Sequence, residues 1–71
     1  MARTTATVVK AVHVIQCNDH VEHGMVSTLE EAEAEMERRR EELFATLERT
    51  TGTSRKEYNL RVNWQIHSFP V

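Results

Sequence analysis

Tyr58-Asn59-Leu60-Arg61-Val62-Asn63-Trp64-Gln65-Ile66-His67 is the stretch on which the fold turns. Its apolar residues, Tyr58, Leu60, Val62, Trp64 and Ile66, alternate with polar ones over ten positions. Successive side chains of a strand point to opposite faces, so this pattern predicts a strand over 57–68 with one covered face and one wet face. Pro70 offers no N–H to a ladder and is expected to end it.

A covered face needs a cover, and residues 28–50 supply one. Ser27-Thr28-Leu29-Glu30-Glu31 has the capping-box form, a hydroxyl followed three positions on by Glu, with Ser27 or Thr28 as the cap. Leu29, Ala32, Met36, Leu43 and Leu47 then form a helical stripe with Phe44 beside it, and Gly52 supplies a stop. A helix of this length spans roughly 33 Å. A ten-residue strand spans about the same.

Two more strands precede the helix. Residues 7–17 hold Val8, Val9, Val12, Val14 and Ile15, β-branched side chains that suit a pleated surface. Asn18-Asp19-His20 reads as a turn that tolerates left-handed backbone. Residues 21–26 return as a shorter strand, in which Gly24 is expected to mark a bulge. The result is a single α+β domain, residues 1–71, with residues 1–5 frayed. Its connectivity is β-β-α-β: a three-stranded antiparallel sheet in the order 2-1-3, with one long helix on one face. The two-sided apolar character of the first strand agrees with a central place.

The chain has 71 residues, near the lower limit for a self-sufficient core, and its single cysteine permits no internal disulfide. A lone cysteine and an N-terminus without an apolar h-region suggest a cytoplasmic protein. No apolar run approaches the ~20 residues of a membrane span. Acids outnumber bases eleven to nine, for a net charge of −2. That balance argues against direct nucleic-acid binding and against a membrane surface.

Chemistry-bearing residues are sparse. Cys17, His20 and His23 recur at three-residue intervals and make up the metal-binding alternative, with Asp19, His13 or His67 as a fourth ligand. The paired ligand units of structural zinc sites are missing. A nucleophilic Cys17 lacks an evident orienting group, so no catalytic residues are assigned and no cofactor is expected. The helix presents an acidic face at Glu30, Glu33, Glu37 and Glu41, partly offset by Arg38, Arg39 and Arg40. Glu35 and Glu37 are placed to pair with Arg39 and Arg40.

The remaining candidate is the uncovered face of the sheet. One alternating set of the first strand must point there, and either set exposes apolar side chains. Lys10, Val12 and Val14 are assigned to it, beside Arg61, Asn63, Gln65 and His67, with Ala11 and Ile15 as the alternative set. An apolar patch framed by polar residues is the make-up of a protein-binding surface.

Ser27-Thr28-Leu29-Glu30-Glu31-Ala32 and Tyr58-Asn-Leu-Arg-Val-Asn-Trp64, in a layout that runs from Val8 to Pro70, resemble small accessory proteins of phages and other mobile elements. Anti-CRISPR proteins and host-factor inhibitors are of this kind. The resemblance implies a non-enzymatic protein, monomeric or a homodimer. It would work in the host cytoplasm by blocking a host or defence protein, such as a polymerase or a nuclease complex. It carries over no binding residue.

Overall fold

The structure, a computed structural model, describes residues 10–71. Five elements follow in order: β1 (Ala11–Cys17), β2 (His20–Ser27), α1 (Leu29–Thr51), α2 (Arg55–Arg61) and β3 (Trp64–Pro70). The strands form one antiparallel sheet in the order β2-β1-β3, and α1 covers one of its faces. This is the expected α+β architecture with one element added. Residues 1–5 and 7–9, expected to fray and to begin the first strand, lie outside the described residues.

Local chemistry accounts for most boundaries. Asn18 takes the left-handed backbone of the two-residue hairpin loop, at φ 52°, where Asx residues are tolerated. Its N–H donates to the Asn63 carbonyl (2.7 Å) and its Oδ1 accepts from the Asn63 N–H (2.8 Å). The hairpin is thereby tied to the segment entering β3. Thr28 caps α1, its hydroxyl accepting from Glu31 N–H at 3.2 Å while the Thr28 N–H donates to the Glu31 carboxylate at 3.0 Å. At the other end Gly52, at φ 72°, closes the helix through a bond from its N–H to the Glu48 carbonyl. The ladder irregularity does not lie at Gly24. Ile15 pairs with His23 and Gln16 with Val21, so Glu22 is the extra residue.

The strand expected over 57–68 is corrected. Residues 55–61 are helical, and β3 begins at Trp64 and runs through Pro70. Ser54 caps α2, accepting from Glu57 N–H at 3.2 Å. Tyr58 faces inward while Leu60, expected on the covered side of a strand, is 77% exposed. Length explains the switch. The 23 residues of α1 span roughly 34 Å, whereas the seven of β3 span about 23 Å. The helix overshoots the sheet, and α2 brings the chain back across the difference.

The core is small. Among the described residues the buried apolar side chains are Ile15, Cys17, Ala32, Phe44 and Tyr58. Leu29, expected in the helical stripe, is half exposed. Alternation and register put Ala11, His13, Ile15 and Cys17 of β1 toward α1, with Trp64, Ile66 and Ser68 of β3 beside them. His13 is buried, held by Ser68 Oγ at its Nδ1 (2.8 Å) and donating from Nε2 to the Ser27 carbonyl (3.1 Å). Tyr58 docks α2 on α1: its hydroxyl donates to the Arg40 carbonyl (2.8 Å) and accepts from Trp64 Nε1 (2.9 Å). Its ring meets Phe44 edge-on at 5.4 Å.

Candidate protein-binding face

With His13, Ile15 and Cys17 turned toward α1, the other set of β1, Val12, Val14 and Gln16, lies on the open side. The ladder register builds three rows across that side. They are Val26–Val12–Phe69, Gly24–Val14–His67 and Val21–Gln16–Gln65. None of these nine residues is Asp, Glu, Lys or Arg, although 28% of the chain is charged. Val21 is 68% exposed, Val26 60% and Phe69 53%, which is far from the burial such side chains find in a core. A Cβ built on Gly24 would meet nothing within 4 Å, so the middle row is open space beside Val14. Three strands spaced ~4.8 Å apart and about 23 Å long give the face a footprint of roughly 330 Å². The apolar patch on it, formed by Val12, Val14, Val21, Val26 and Phe69, takes up part of that footprint, with Gln16, Gln65 and His67 filling the rest.

Of the residues assigned to this face from sequence, Val12, Val14, Gln65 and His67 belong to it. Lys10 is exposed just before β1. Arg61 and Asn63 do not belong: Arg61 ends α2, and the Asn63 backbone is engaged by Asn18. Gln16 joins Val12 and Val14 by the same alternation along β1, whereas Val21, Val26 and Phe69 were missed. Their membership follows from the pairing register, which a local pattern does not contain. His13 and His67 are not neighbours on one face, since His13 pairs with Ser68 and His67 with Val14.

The metal-binding alternative does not assemble. Among the described residues no three His, Cys, Asp or Glu side chains are grouped to hold a metal ion. Cys17 is opposite His20, but the thiol is buried while His20 is exposed, and the bulge at Glu22 separates His20 from His23. Burial, and then the Glu22 charge, push the Cys17 thiol above its ordinary range. That disfavours the thiolate a metal would need.

The acidic helix face is partly neutralised. Glu41 accepts two bonds from Arg55 at 2.8 Å, and that guanidinium lies 3.8 Å over the Phe44 ring. Glu37 pairs with Arg40 at 3.5 Å. Glu35 pairs with both Arg38 and Arg39 at 2.6 Å. Hydrogen bonds from those two arginines hold the Glu35 carboxyl down at about 2. Glu30 and Glu33 remain as exposed carboxylates.

Two open grooves flank Trp64, of about 240 and 310 Å³, one lined by Met36 and Arg40 and the other by Arg39 and Leu43. They sit at or below the lower end of the ~300–1,000 Å³ of small-molecule sites. Neither is lined by a histidine or a cysteine. No helix among the described residues is long and apolar enough to cross a membrane. No protein-family model, curated protein or solved structure matches the chain.

Proposed function

We propose that the protein is a non-enzymatic binding module that lays the open face of its sheet against a protein partner. One observation carries this reading: the uncharged row Val26–Val12–Phe69, with its two outer members more than half exposed. Apolar side chains framed by Gln16, Gln65 and His67 reproduce the apolar centre and polar rim of an interface. Such a face acts by occupancy, covering a surface its partner uses for something else. This is the mode of action implied by the resemblance to inhibitors of host or defence proteins. A single sheet face of roughly 330 Å² falls short of the ~800 Å² per partner of a standard interface. The contact therefore extends past the face or is transient.

The test is affinity capture from the native host with the natural chain and with two variants, Val26→Lys and Phe69→Lys. Both positions are exposed, so circular dichroism should be unchanged. A protein bound in stoichiometric amount by the natural chain should be lost from both variants, because a lysine buried against an apolar partner weakens binding at least about tenfold. Equal recovery with all three chains would refute the reading.

A further inference from the structure

We infer that a second copy of the chain joins the sheet along β3, antiparallel and edge to edge, giving one six-stranded sheet. Among the described residues β1 is the centre of the sheet, so β2 and β3 are its edges. An edge strand exposes a row of backbone N–H and C=O groups that will pair with another strand unless something prevents it. The two edges differ in this respect. On β2 the extra residue Glu22 breaks the ladder, with Gly24 two positions on, and Glu22 itself borders the groove lined by Arg39 and Leu43. On β3 the pairing with β1 is regular from Trp64 to Pro70, and the strand holds no Asp, Glu, Lys or Arg. Pro70 guards only its last position. One edge is blunted and the other is left as a template.

The occupant is identified by symmetry, charge and area. A two-fold axis beside β3 sets the same strand on both sides, and an antiparallel pair satisfies that axis in every register that sets residues of the same face opposite one another. A strand without formal charges places no like charges opposite one another in such a pairing, whereas most of this charged surface would. The area argument is independent of both. Joining two sheets doubles the continuous open face to roughly 660 Å², close to the ~800 Å² per partner that one copy cannot reach. A chain of 71 residues with five buried apolar side chains among those described also gains from association. The area argument rests on the partner-binding role proposed above, while the dimer contact itself uses the edge of β3 rather than the face.

The experiment is sedimentation equilibrium of the natural chain over a concentration series, with hydrogen exchange at the same concentrations. The expected result is a mass rising toward twice 8.2 kDa and protection of the 64–69 amides that grows with concentration. The double variant Gln65→Lys/His67→Lys, at two exposed β3 positions, should keep its circular dichroism and sediment as a monomer. Val26→Lys, on the far strand, should stay dimeric while losing any partner held by the face. A natural chain that remains monomeric at about 1 mM overturns the inference. So does a dimer that survives in the double variant, and so does dissociation by Val26→Lys, which would set the copies face to face. Concentration-dependent protection confined to residues outside 64–69 counts against it as well.

Discussion

Removing a single oxygen atom, by Tyr58→Phe, should cost this domain a large share of its stability. The Tyr58 hydroxyl is the middle link in a chain that runs from Trp64 Nε1 (2.9 Å) to the Arg40 carbonyl (2.8 Å), joining β3, α2 and α1. The side chain is 1% exposed, so water does not replace the hydroxyl at its own position. Each bond contributes about 1 kcal/mol net, and losing both costs about 2 kcal/mol. The Trp64 indole borders the two open grooves, and water entering there lowers the loss toward about 1 kcal/mol. In a domain of this size about 2 kcal/mol lowers Tm by roughly 8–16 °C. Urea unfolding followed by fluorescence suits the measurement because Trp64 is the single tryptophan. A double-mutant cycle with Trp64→Phe, read by circular dichroism, should show a coupling near 1 kcal/mol. A Tyr58→Phe chain within about 0.5 kcal/mol of the natural one, or an additive cycle, would refute the claim that this hydroxyl holds α2 in place.

The two glycines should respond in opposite directions to replacement by alanine. At Gly52, φ 72° imposes a left-handed strain of about 1–2 kcal/mol on any Cβ, and thermal melts should show the loss. At Gly24 a Cβ meets open space, and the stiffer chain should gain up to about 1 kcal/mol. Glu35 sets an acid limb. Its folded carboxyl titrates at about 2 against an ordinary 4.5, so its stabilisation is complete above 4.5 and is lost as pH falls toward 2. Glu35→Gln should flatten that part of a Tm-against-pH curve, and an unchanged curve would show that the Arg38 and Arg39 pairs contribute nothing.

Much of the scaffold is legible in local pattern because local chemistry produces it. Thr28 and Glu31 satisfy each other's backbone across three residues, and Gly52 closes the helix wherever the stripe ends. Asn18 is left-handed because its own side chain permits it. The β-branched run of β1 forms the central strand of the sheet. The segment from Tyr58 to Val62 misleads because alternation over so few residues also fits a helix. Residues one turn apart, such as Tyr58 and Val62, share a side in a helix, and the Ser54-x-x-Glu57 cap was the available signal. The strand reading required α1 and the final strand to match in length. The short return helix is what the mismatch demanded.

The open face is the part that local pattern left undecided. Either alternating set of β1 is apolar enough to be covered, and only one carries a histidine. That histidine is on the buried side because Ser68 and Ser27, far away in the chain, bring a hydroxyl and a carbonyl to its two ring nitrogens. Burying an imidazole costs little when both nitrogens are bonded and a great deal when they are not. Sequence by itself therefore determined the strand-rich first half, the capped helix and its stop. The tertiary structure decided which face of the sheet was left to solvent, because the polar partners that make one choice affordable come from strands paired only in the folded chain.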